Sequence, residues 1–156
     1  MSAGRLEGIA RHARPRGLME TVDHVAVNTS EGLHGDFRGA VRPGKSGRRQ
    51  VSLIEAESWA AAMHDLGRDG DPLPWHVRRA NLLVTGLRLP REAGRVIAIG
   101  KSLRIEVTCE CDPCSRMEEI APGLKAALTP DWRGGVLGRV LTDGDIALGD
   151  EIRIEE

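Results

Sequence analysis

Apolar residues in this chain come mostly in short runs with polar residues at alternate positions, and glycine or proline closes nearly every run. That spacing predicts half-buried strands joined by tight turns. Arg5 to His12 alternates loosely, and Gly8 inside it predicts a bulge or a close backbone approach. Val22, Val25 and Val27 predict a second strand around Asp23 and His24. Glu31 to Gly39 is too glycine-rich to be regular, and the basic stretch from Arg42 to Arg49 reads as a loop. Gln50 to Ile54 is the next strand. The period then changes: from Glu55 to Leu66, Trp59, Ala62, Met63 and Leu66 fall at i, i+3, i+4 and i+7, which predicts a helix with one face on a sheet. Gly67 is a suitable stop for it, and His64, off the apolar stripe, takes no role.

Further along, Leu82 to Thr85 is an apolar strand with Arg78, Arg79 and Asn81 at its mouth, and Leu103 to Thr108 is another. Met117 to Leu128 has helical composition broken at Pro122-Gly123, predicting one short helix or two separate turns. Trp132 to Gly135 reads as a turn and Val136 to Leu141 as a strand. Thr142-Asp143-Gly144-Asp145 reads as a hairpin signal, and Ile152 to Ile154 as a closing strand. The expected architecture is mostly β with inserted α-helices, a closed β-barrel, with residues 1–156 as a single domain.

Composition narrows the chemistry. With no Tyr, one Phe and three Trp in 156 residues, the core has to be aliphatic. A formal net charge of −1 gives no general attraction to nucleic acid or to an anionic membrane. No apolar run approaches the roughly 20 residues that span a bilayer, and the start carries no apolar signal segment. A cytoplasmic protein with reduced thiols is the expectation. The basic loop is either a solvated connection or an anion site, since its glycines let backbone N–H groups approach a phosphate while Lys45, Arg48 and Arg49 supply charge.

All three cysteines stand in one hexapeptide, Cys109-Glu110-Cys111-Asp112-Pro113-Cys114, between a strand and a helical segment. A thiol placed there can be a nucleophile, a sulfur carrier, a ligand to a soft metal or one end of a disulfide. Pro113 pushes Asp112 out of the helical region, so Cys114 should open whatever follows. A following helical turn and Arg116 would favour its thiolate. Arg78, Arg79 and Asn81 facing the cysteines would make a wall for anions and amides.

Arg49 to Ala56, Asn81 to Leu87, Pro113-Cys114, Arg133 to Val136 and Asp143 to Asp150 occur in an order that resembles a MOSC domain, the module at the C-terminus of molybdenum cofactor sulfurases and in stand-alone bacterial proteins. The resemblance runs from about Leu6 to Ile154 and implies a β-barrel of the pyruvate-kinase-barrel type. It also implies a molybdenum cofactor (molybdopterin), with Cys114 as catalytic residue and metal ligand. Arg79 and Asn81 match the R-x-N bordering the cofactor pocket, and Arg48 and Arg49 fall where pterin or phosphate contacts are expected. Cys111 is counted with the cofactor-binding residues, although it and Cys109 stand outside the family pattern, as sulfur relay, resolving thiol or small core residue. Asp36 matches a family position. His34 and His76 are candidates for cofactor or substrate contacts, against the plainer reading of loop residues.

Three functions follow from this reading. The first is a molybdenum-dependent reductase of N-hydroxylated small molecules, served by a separate electron-donor redox protein. The second is a sulfur-carrier or cofactor-delivery module with a persulfide on Cys114, loaded by a cysteine desulfurase, because this sequence has no pyridoxal phosphate site of its own. It also lacks the extra N-terminal β-domain of amidoxime-reducing relatives, so a partner is implied to close the pocket. The third, a zinc knuckle at C-x-C-x-x-C, has three sulfurs and no fixed fourth ligand.

Overall fold

The computed structural model describes residues 3–41 and 44–155; Arg42 and Pro43 of the basic stretch lie outside the described residues. In chain order the strands are β1 (Gly4–Arg11), β2 (Glu20–Thr21), β3 (His24–Asn28), β4 (Gly32–Leu33), β5 (Val51–Glu55), β6 (Leu82–Thr85), β7 (Val96–Ile99), β8 (Leu103–Glu110), β9 (Val136–Thr142), β10 (Gly144–Ala147) and β11 (Glu151–Glu155). The α-helices are α1 (Ala56–Asp65), α2 (Ser115–Ile120) and α3 (Leu124–Leu128).

Seven strands pair in the order β11-β7-β8-β9-β5-β6-β1, and β1 pairs back with β11, which closes the barrel. Gly4 and Arg5 meet Ile152 and Glu151 at that seam. The barrel interior is aliphatic: Leu6, Leu53, Val84, Ile97, Leu103, Ile105, Val136 and Ile152 are all essentially buried, as the lack of aromatics required. Gly8 marks the shift in register where β1 meets β6, and a Cβ there would lie 2.6 Å from the Trp75 ring. The bulge and the close approach are therefore one feature.

β5 and β6 form the parallel pair, in register Leu53↔Leu82 to Glu55↔Val84, so the chain between them must cross the outside of the barrel. α1 makes that crossing. Residues alternate along both strands: Leu53, Leu82 and Val84 point into the barrel core, while Ile54 and Leu83 join Trp59, Ala62, Met63, Met117, Leu124 and Leu128 in a second apolar cluster under the helices. α1 ends as predicted, with Gly67 at φ 70° donating to the His64 carbonyl at 2.9 Å and Arg68 donating to Met63 at 2.8 Å, the doubly bonded glycine stop of many helices. His64 is exposed. Pro122-Gly123 separates α2 from α3 as two short helices.

One turn differs from expectation. Asp143-Gly144 does not close a β9–β10 hairpin; β10 pairs with β3, in register Gly144↔Val27 to Ala147↔His24, and β3 pairs with β4 in a separate three-stranded sheet. A tight two-residue hairpin needs positive φ at its centre, and neither Asp143 nor Gly144 adopts it. Asp143 instead accepts a hydrogen bond from the Thr29 N–H at 3.0 Å, drawing the chain across to β3.

Candidate functional site

The cysteine loop is held at both ends. β8 carries Cys109 and Glu110, and the Cys111 N–H still donates to the Gly135 carbonyl at 2.9 Å after the strand has ended. Pro113 then turns the chain so that Cys114, extended at φ −122°, caps α2, and its carbonyl accepts from Met117 N–H at 2.9 Å. The Met117 side chain, 2% exposed, pins α2 into the apolar cluster outside the barrel. Cys114 is exposed; Cys109 and Cys111 are half-buried.

The loop forms one wall of a cleft of about 140 Å³ at the barrel rim. Its lining brings together Cys111, Cys114, Arg49, Arg79 and Asn81 with Asp36, Arg78 and Arg116, all named in the sequence reading, and adds His12 and Arg38. Five arginines (Arg38, Arg49, Arg78, Arg79 and Arg116) face two acids (Asp36 and Asp112) there, a strongly positive spot in a protein of net charge −1. Crowding acts on the charges directly. Burial first, then repulsion from Arg116 and Arg38, lowers the Arg79 pKa from its ordinary value, with Asp36 opposing. Arg79 also holds a left-handed backbone at φ 68°, a conformation that costs a non-glycine residue about 1 kcal/mol or more and collects at functional sites.

Arg78 is 7% exposed and has no carboxylate partner among the described residues. Its guanidinium donates to the Cys111 carbonyl at 2.7 Å and approaches the Cys111 Sγ at 3.2 Å, while its Nε has no partner. Gly134 makes room for this contact: a Cβ there would lie 2.6 Å from the Cys111 carbonyl oxygen and 3.0 Å from Arg78 Nη2. Asn81, by contrast, is fully used within the fold. Its Oδ1 accepts from the Ser52 N–H at 3.0 Å and its Nδ2 donates to the Ala10 carbonyl at 3.1 Å, so it ties β1 and β5 to the start of β6 at the floor of the cleft.

His12 and Asp36 are each 6% exposed and lie at the back. Asp36 Oδ1 accepts from the His12 N–H at 3.1 Å and stands 3.4 Å from His12 Nδ1, yet that Nδ1 and Asp36 Oδ2 have no hydrogen-bond partner. Among the described residues four buried side-chain polar atoms are left unpartnered, and three of them, on His12, Asp36 and Arg78, belong to this cleft. Burial lowers the His12 pKa below its ordinary value; Asp36 pulls it up, and Arg79, Arg38 and Arg116 push it down. Beside the thiols, burial and then the Asp112 carboxyl raise the Glu110 pKa.

Arg48 is outside the cleft. It lines an adjoining cavity of about 440 Å³ with Phe37, Val41 and Lys45, and its carbonyl accepts from Thr108. Arg38 and Arg49 border both spaces. His34 is exposed and lies near Glu31, away from the cleft. His76 stacks edge-on to Trp75 in a separate hollow behind Arg79 and Arg116. Among the described residues no three His, Cys, Asp or Glu side chains converge on a point that could hold a metal ion. No helix there is long and apolar enough to cross a membrane.

The MOSC domain family profile matches residues 24–153. No curated protein matches the sequence. Among solved structures, the fold resembles the YuaD protein of Bacillus subtilis, with a TM-score of 0.77, 19% identity and coverage of 99% of this chain and 98% of that one. It also resembles YiiM from Geobacillus stearothermophilus (0.70, 19%, covering 98% and 75%) and YiiM from Escherichia coli (0.69, 15%, covering 97% and 70%).

Proposed function

The chain belongs to the MOSC domain family, and from that premise we propose that its arginine cleft binds a molybdenum-pterin cofactor and that the protein is a cytoplasmic reductase of small N-hydroxylated compounds, fed with electrons by a separate redox protein. One observation carries the reading: an exposed thiol, Cys114, stands on the rim of a cleft with five arginines, two acids and three buried polar atoms that find no partner among the described residues.

The donor set suits such a group. A single thiolate is a soft ligand but too few ligands to hold a bare metal, so a metal at Cys114 has to arrive with most of its coordination supplied by a carrier. An anionic carrier matches the arginine excess, because guanidinium forks bind phosphate and carbonyl oxygens in pairs. Arg38, Arg79 and Arg116 would hold the phosphate, Arg49 the side open to the larger cavity, and Cys114 the metal. When bound, the group supplies a redox-active metal centre. Reduction of an N-hydroxylated substrate consumes two electrons and two protons, breaks the N–O bond and releases water. The chain's part is to fix the anionic end, present one thiolate and keep the loop that carries it from moving.

The test is molybdenum and pterin content after expression in a host unable to add the nucleotide to its cofactor. Close to one molybdenum per chain in the wild type, lost in Cys114→Ala, supports the reading; none in either protein overturns it. A sulfur carrier is the second reading, favoured by Cys111 and Cys114 lining the same cleft with the Cys111 Sγ held by Arg78. It predicts cyanide-labile sulfur on Cys114 after incubation with a cysteine desulfurase, and is abandoned if none is loaded.

A further inference from the structure

The back of the cleft contains a titratable pair that neither reading uses. His12 and Asp36 are buried together, 3.4 Å apart through Nδ1 and Oδ1, with an unpartnered atom on each. We propose that His12 takes up a proton when a doubly charged oxyanion enters the arginine cleft, so that an imidazolium backed by Asp36 becomes one of the groups that hold the anion. The inference rests on the placement of the cofactor phosphate above and adds that this site loads its anion together with a proton.

The charges around His12 supply the reason. Asp36 favours its charging; Arg79 from the turn before β6, Arg38 from the turn after Asp36, and Arg116 from α2 all oppose it, as does burial. In the free cleft burial and the three arginines therefore disfavour the imidazolium. An oxyanion on Arg38, Arg79 and Arg116 cancels their repulsion and adds its own attraction, while Asp36 remains, so proton affinity rises on binding. Hydrogen bonding acts in the same direction. A neutral imidazole that turns Nδ1–H to Asp36 presents a lone pair at its other nitrogen, whereas the imidazolium presents N–H at both. Arg49, Arg78 and Asp112 complete the charged lining; Arg78, kept on Cys111, is a constant background to the exchange.

Sulfate is the probe, because it does not titrate near neutrality and any proton taken up belongs to the protein. Calorimetry of the full chain in buffers of different ionisation enthalpy should show close to one proton absorbed per sulfate at a pH between the His12 pKa values of the free and filled cleft, falling away above and below. The imidazole resonance that His12→Gln removes should move to its protonated position as sulfate is added. His12→Gln, checked for folding by circular dichroism, should bind sulfate roughly tenfold more weakly at mildly acid pH, the scale of one charge-assisted hydrogen bond, with no proton uptake. Asp36→Asn should shift the uptake to lower pH. In protein loaded with molybdenum cofactor, a His12 resonance already in its protonated position identifies the cofactor phosphate as the anion; one that still responds to sulfate identifies a free oxyanion. Sulfate binding without proton uptake, uptake that survives His12→Gln, or no sulfate binding at all overturns the proposal. Each of these leaves the molybdenum content of wild type and Cys114→Ala untouched, so the two ideas fail separately.

Discussion

Two buried arginines, Arg91 and Arg78, are treated in opposite ways. Arg91, whose side chain is 15% exposed, sits on the Glu55 carboxylate, donates to the Leu89 carbonyl at 2.6 Å and reaches the Asp131 carbonyl at 3.1 Å. Glu55 in turn accepts from the Leu89 N–H at 2.7 Å and from Ser58 at 3.0 Å. Arg78 is at least as buried but rests on a backbone carbonyl and a thiol, with no carboxylate among the described residues. A buried cation matched by an anion within the chain fixes the junction of β5, α1 and the segment before β7. A buried cation left unmatched costs stability, and its place beside Cys111, in the cleft that Cys114 lines, fits a site that waits for an anion from outside.

The sharpest way to break this contrast is to remove one partner from each side. Glu55→Ala strands Arg91 and should cost about 3–5 kcal/mol in urea denaturation, with sulfate affinity in the cleft unchanged once the variant is folded. If affinity falls in step with stability, the two regions are not independent. Arg78→Met removes the unmatched charge, and the gain offsets the loss of the Cys111 carbonyl's donor, so stability should stay within about 2 kcal/mol of wild type while sulfate binding weakens at least tenfold. A stability loss as large as that of Glu55→Ala would make Arg78 a structural residue like Arg91.

The pH dependence refines the contrast. Because the His12 pKa is lowered in the folded protein, first by burial, the unfolded chain binds the extra proton, and His12 lowers stability as pH falls from about 6.5 toward its folded value, levelling off below it. His12→Gln should remove that part of the slope in denaturation midpoints measured between neutral and mildly acid pH. The smallest effect belongs to the exposed pair His64 and Asp69, 3.0 Å apart: His64→Ala should change stability by no more than about 0.5 kcal/mol and leave anion binding alone.

What the sequence reveals follows the range of the interaction. The stripe Trp59, Ala62, Met63, Leu66 and the stop at Gly67 are local patterns, and they match α1 and its end. The strand before the cysteines, the break at Pro122-Gly123 and the bulge at Gly8 are equally local. The hairpin expected at Asp143-Gly144 rested on residue type alone, and pairing with β3 more than a hundred positions earlier decided the outcome. Cys114, Arg79 and Asn81, which share the cleft, stood out in the sequence because they sit in short motifs. His12 did not, since it continues the run of β1 and nothing nearby announces Asp36, to which only the folded chain brings it. Arg38 sits in a glycine-rich turn that reads as a plain loop, and Arg78, grouped with Arg79 in the wall facing the cysteines, is told apart from it only by its deeper burial. The second apolar cluster left a clue in the unbroken run Leu82-Leu83-Val84, because a strand covered on both faces loses its alternation.

The central claim, that the arginine cleft and Cys114 form one cofactor site, is tested most directly by an anomalous-scattering map at the molybdenum edge on crystals of protein expressed in a cofactor-replete host. The account predicts one peak at bonding distance from Cys114 Sγ, with phosphate density against Arg38, Arg79 and Arg116. A peak elsewhere, or a molybdenum-free cleft in crystals whose protein was loaded in solution, would contradict it.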